Sequence, residues 1–131
     1  IAVGPRDVDN QCVEVARRDT KEKQSLSNVD LEHKIPHLLE QMQKNIFDKA
    51  LSFRDQNIHI VNTYEEFKEK LENPGGFIAA HWDGTGETEN KIKEETKATI
   101  RCIPLNAPTE KGNCIYSGKP SAQRVLFAKA Y

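Results

Sequence analysis

Asn113-Cys114-Ile115-Tyr116-Ser117-Gly118-Lys119, followed by Arg124-Val125-Leu126-Phe127-Ala128-Lys129-Ala130-Tyr131, is the stretch on which the reading of this chain turns. Its first half has the rhythm of a C-x-x-C-G-K knuckle, a tight turn that offers two thiolates to zinc. Ser117 stands where the second cysteine would be. The second half reads as a strand that runs to the last residue. A knuckle feeding a terminal strand needs partners upstream, and the chain supplies them.

Working back from the knuckle, Leu105 to Asn113 is a polar loop, and Thr99 to Ile103 is a strand closed by Pro104. Glu87 to Thr96 reads as a helix with Ile92 inward. The turn Asp83-Gly84-Thr85-Gly86 separates it from an apolar strand, Phe77 to Trp82. Thr63-Tyr64-Glu65-Glu66 is a capping-box pattern that opens another helix, with Tyr64, Phe67 and Leu71 on its buried face and Asn73-Pro74-Gly75-Gly76 ending it. The expected core here is Phe77, Ile78, Trp82, Ile92, Ile100, Ile103, Val125 and Phe127.

Further upstream, Pro36 suits the first turn of a long helix whose Leu38, Leu39, Met42, Ile46, Ala50 and Phe53 recur at steps of three and four, an apolar stripe expected to pack. A short helix, Val29 to Lys34, is expected before it, capped by Ser27 or Asn28. Cys12 to Ala16 and Glu22 to Leu26 read as an antiparallel hairpin with Arg17 to Lys21 at its tip, and Gly4-Pro5-Arg6-Asp7 reads as a turn. The fold class is therefore α/β in the α+β sense, in two parts: residues 1–57 and 58–131.

The totals exclude several classes. The formal charge of −1, from 19 basic and 20 acidic residues, gives no global field for nucleic acid, so any such contact has to be local. Cysteines 12, 102 and 114 make no disulfide framework and fit a reducing, cytoplasmic setting. No apolar run approaches the roughly 18 residues of a membrane span. The apolar start at Ile1 reads as a piece of a larger polypeptide.

Gly4-Pro5-Arg6-Asp7-Val8, Arg17-Arg18-Asp19-Thr20, Lys91-Ile92-Lys93-Glu94-Glu95-Thr96, Arg101-Cys102-Ile103-Pro104 and the ending Arg124 to Tyr131 occur in this order. Together they resemble the C-terminal part of prolyl-tRNA synthetases of the type shared by archaea, eukaryotes and some bacteria. The resemblance implies that residues 1–57 are the last strands and helix of a class II anticodon-binding domain. It implies that 58–131 are the C-terminal domain that holds a structural zinc in many relatives, here with a degenerate knuckle. The class II catalytic domain, which uses ATP and Mg²⁺ to attach proline to its tRNA, has no counterpart in these residues. The fragment is expected to carry no cofactor and to be inactive alone. The implied parent is a cytoplasmic homodimer.

The same resemblance assigns candidate sites. The zinc positions fall on Asp83, Thr88, Cys114 and Ser117, one thiolate of four, so zinc is not expected and side-chain-to-backbone hydrogen bonds are expected to hold the turns. Arg17, Arg18, Lys21 and Lys23 on the hairpin are the candidates for the anticodon stem-loop of proline tRNA, whose anticodon carries guanines that arginine can pair with. Arg6 is expected to pair near Asp7 in its turn. The carboxylate of Tyr131 is implied to reach toward the parent's own catalytic domain. His33 and His37 are expected to be surface residues, with Pro36 interrupting any shared helix face. Two other classes compete: a stand-alone interaction module without catalysis, and a small zinc-ribbon nucleic-acid binder.

Overall fold

In a computed structural model, residues 1–129 are described; Tyr131, and with it the expectation for the terminal carboxylate, lies outside them. The chain divides into two compact units, Ile1–Phe53 and the remainder from Arg54.

The first unit opens with a short helix, α1 (Pro5–Asp9), where the sequence reads as a turn. Its entry is fixed by the Asp7 carboxylate, which accepts from the Gly4 N–H at 2.7 Å. That bond replaces the expected Arg6–Asp7 pair: the acid is at N3, where it satisfies an orphan backbone donor. β1 (Cys12–Ala16) and β2 (Lys23–Ser27) form the antiparallel hairpin, with Val13 paired to Leu26 and Val15 to Gln24. Val13 and Val15 are buried, as their alternation with Glu14 requires. A 3₁₀ turn, Asn28–Asp30, leads into α2 (Leu31–Gln56).

Two expectations fail in α2. The helix runs through Pro36 without a break, so His33 and His37 do share a continuous helix. Pro36, the sixth residue of the helix, has no N–H to offer the Glu32 carbonyl, and the ladder continues past that one missing bond. The apolar stripe is also mostly uncovered. Leu38 is buried and Leu31, Ile35 and Met42 pack beside it on Val13 and Val15, but Leu39, Ile46, Phe47 and Phe53 are exposed. The hairpin is too narrow to cover more than one edge of the stripe.

The second unit is built around a four-stranded sheet. β3 (Ile58–Ile60) pairs parallel to β4 (Phe77–His81), and β4 and β5 (Ala98–Cys102) flank β8 (Arg124–Lys129) antiparallel, giving the order β3-β4-β8-β5. β3 is too short and too polar around His59 to stand out in the sequence. α3 (Tyr64–Glu72) starts with the expected capping box, Thr63 Oγ1 accepting from Glu66 N–H while the Glu66 carboxylate accepts from the Thr63 N–H. α4 (Gly86–Thr96) is capped by Thr85. A two-stranded ribbon, β6 (Gly112–Asn113) and β7 (Pro120–Ser121), carries the knuckle between its strands.

The core of this unit is Val61, Phe67, Leu71, Ile78, Ala80, Ile92, Ala98, Val125 and Phe127, with Phe67 and Phe127 edge-to-face at 5.2 Å. Phe77 and Ile103, expected in the core, are exposed. Phe77 opens β4, ahead of the four residues of the strand that are buried, and Ile103 follows the last residue of β5. Among the described residues no helix is long and apolar enough to cross a membrane.

Candidate functional site

The basic candidates occupy the β1–β2 tip, where the Arg17 N–H donates to the Glu22 carbonyl and the Lys21 N–H to the Arg17 carbonyl. Lys21 adopts φ +67°, the left-handed conformation that turns the chain back. The four side chains do not act alike. Arg17 lies against Asp19, Nε–Oδ1 3.1 Å and Nη2–Oδ2 2.8 Å, and its Nη1 donates to Gln41 on α2. The Asp19 side chain is 1 % exposed and also accepts from the Asn45 amide at 2.6 Å. The Arg17 guanidinium, then the Asn45 amide, hold the Asp19 carboxyl well below its ordinary value, against the opposing effect of burial. In return the Asp19 carboxylate raises Arg17. Arg17 is thus a strut between tip and helix, and Asp19, not among the candidates read from the sequence, is its anchor. The cue was an acid two residues after an arginine at a hairpin tip.

Lys23 stands diagonally across the ladder from Glu14 at 3.6 Å, an exposed pair of little energetic weight. Arg18 and Lys21 are exposed, and no side-chain partner holds either of them among the described residues. The tip therefore presents two free cations on a loop braced by a third.

The knuckle belongs to the second unit. Its backbone closes with the Cys114 N–H on the Lys119 carbonyl and the Gly118 N–H on the Cys114 carbonyl. Gly118 has φ +71°, the reason for a glycine after Ser117. The Ile115 N–H donates to the His81 carbonyl at 3.2 Å, docking the turn on the end of β4. Asp83, Thr88 and Ser117 come together: Thr88 Oγ1 and Ser117 Oγ donate to Asp83 Oδ2 at 2.8 and 2.7 Å. Thr85 donates to Oδ1 through its N–H and its hydroxyl, at 3.1 and 2.8 Å. Burial raises the Asp83 carboxyl, but the donors from Ser117, Thr85 and Thr88 outweigh it and hold it well below its usual range. Cys114 is buried and joins no such network.

These residues do not fit zinc. Two hydroxyls are poor ligands, and the carboxylate that remains already has its lone pairs occupied by four donors. Among the described residues no group of three or more His, Cys, Asp and Glu is placed to hold a metal ion. Nearby, buried His81 has Nδ1 3.1 Å from Ser121 Oγ, whose own hydroxyl reaches the Gln123 carbonyl at 2.9 Å. Its Nε2 is 3.7 Å from Glu110, which Arg124 grips. A Cβ on Gly112 would strike the His81 ring, so this cluster is packed shut.

A small α/β unit with a knuckle ribbon before its last strand, preceded by a basic hairpin and a long helix, is the architecture of a synthetase's C-terminal region. Residues 64–131 match the family model described as "Prolyl-tRNA synthetase, C-terminal", and the chain belongs to that family. It is 58% identical over 131 residues to a proline–tRNA ligase of Flavobacterium johnsoniae and 56% identical to one of Porphyromonas gingivalis, matching 27% and 26% of those proteins. A crystal structure of prolyl-tRNA synthetase from Cryptosporidium parvum, with halofuginone and AMPPNP, superposes with a TM-score of 0.89 at 31% identity, over 98% of this chain and 27% of that one. The chain thus spans about a quarter of the length of the curated relatives it matches.

Proposed function

We propose that this chain is the anticodon-recognition and support region of a proline–tRNA ligase, with Arg18 and Lys21 as the side chains that meet the anticodon loop of proline tRNA. The parent enzyme activates proline with ATP and Mg²⁺ and transfers it to the tRNA; residues 1–131 contribute to tRNA selection and not to the chemical step. The observation that carries the reading is the unequal state of the hairpin cations. Arg17 is consumed by Asp19 and Gln41, while Arg18 and Lys21 stand free at the turn. A guanidinium with no internal partner can pair with a guanine edge or stack on an unpaired base, and an ammonium can meet phosphate.

The test is the double variant R18A/K21A in the full-length ligase. Its KM for proline tRNA is expected to rise about tenfold, given about 1–3 kcal/mol for a base-reading arginine. Proline-dependent ATP–pyrophosphate exchange is expected to stay at the wild-type rate. An unchanged KM for tRNA would remove both residues from the interface.

A further inference from the structure

We infer that Asp83 is a metal-free clamp that fixes the Cys114–Lys119 knuckle to the head of α4, standing where the resemblance would set a zinc ion, with the polarity of the junction reversed. In a zinc knuckle the hub is a cation and the protein supplies electron pairs. Here the hub is an anion and the protein supplies protons. Thr88 and Ser117, at two ligand-equivalent positions, offer hydroxyls to one oxygen of Asp83, at a third. Thr85 fills the other oxygen through its N–H and its hydroxyl. Asp83 has changed from one ligand among four into the centre itself.

The arrangement ties three segments. Thr88 is in the first turn of α4, Thr85 is its N-cap, and Ser117 is 34 residues away on the knuckle. The neighbouring knuckle residue is braced by a second carboxylate: Tyr116 and Tyr64 donate to the two oxygens of Glu95, in the last turn of α4, at 2.7 and 2.8 Å. Ser117 and Tyr116 therefore hold opposite ends of one helix. Charge-assisted bonds of this length are the strong kind, and a carboxylate with every lone pair occupied has no site left for a metal.

The experiment combines hydrogen exchange, thermal unfolding and chelation on the full-length ligase. With D83N, which keeps size but sets an amide against two hydroxyl donors, the amides of residues 115–119 are expected to exchange at least tenfold faster, while β1–β2 amides do not change. S117A is expected to reproduce part of that acceleration, and the double variant D83N/S117A to exchange no faster than D83N. EDTA is expected to leave the wild-type midpoint unmoved. Chelator-induced destabilisation of the wild type, unaltered knuckle exchange in D83N, or full additivity of the two substitutions would each overturn the clamp. T88V, which removes one donor and keeps the shape, gives the same readout if D83N does not accumulate: no acceleration at 115–119 would overturn it as well.

Discussion

The two units bury their apolar residues very differently. In the second, six large side chains are almost wholly removed from solvent, and the polar periphery is stitched by Asp83, Glu95 and the Arg124–Glu110 pair. In the first, only Val13, Val15 and Leu38 are buried, while Leu39, Ile46 and Phe47 line an open side of α2. Both units carry helices with one apolar side. Periodicity identifies a face without saying whether anything lies against it: the second unit brings its own sheet, and the first brings only a hairpin.

Phe67→Ala gives the largest expected effect and sets one end of the comparison. The ring has no exposure and meets Phe127 edge-on, so its loss should cost about 3–5 kcal/mol in denaturant unfolding of residues 1–131. A cost near 1 kcal/mol would mean that the second unit is less tightly packed than its burial states.

Acid should weaken the carboxylate-centred contacts of this unit and the strut of the first over the same range. Asp83 is held down by its hydroxyl and amide donors against burial, and Glu95 by Tyr116 and then Tyr64. Groups whose folded values are lowered add stability above the ordinary carboxylate value near 4, and lose it as pH falls through that value toward the folded one. Glu87, lowered first by Lys91 and also by Lys119 against the repulsion of Asp83, shares that window. Exchange at residues 115–119 should therefore be flat from pH 7 to about 5, after correction for intrinsic rates, and rise below about 4. A rise already complete by pH 6 would contradict the carboxylate origin.

At the small end, Phe47→Ala should change the stability of residues 1–131 by no more than about 0.5 kcal/mol, because the ring is 63% exposed. A loss comparable with that of Phe67→Ala would show that the open side of α2 is covered after all.

Much of the second unit was legible because its punctuation is local. The Thr63–Glu66 capping box, the Asn73–Gly76 stop and Pro104 each act through neighbouring residues, and the elements fall where these signals put them. The first unit kept its hairpin but not its stripe, since what covers a helix is decided far along the chain. Pro36 misled because one proline removes a single ladder bond, to the Glu32 carbonyl, while the helix on either side of it carries on. The site divides in the same way. Asp83, Thr88 and Ser117 could be grouped through the resemblance, but that Asp83 is the hub follows from donors up to 34 residues away. Arg17 and Arg18 are indistinguishable as neighbours in sequence; only the fold hands Arg17 to Asp19 and leaves Arg18 free.

That distinction is the core of the proposed function, and a mutant cycle between protein and tRNA tests it most directly. Dissociation constants of full-length wild-type and R18A ligase would be measured with proline tRNA and with tRNA in which one anticodon guanine is replaced. Coupling is expected: R18A weakens binding of the wild-type tRNA but scarcely alters binding of the guanine-replaced one, an interaction of about 1 kcal/mol or more. Equal losses on both tRNAs would contradict it, leaving Arg18 with no part in reading the anticodon.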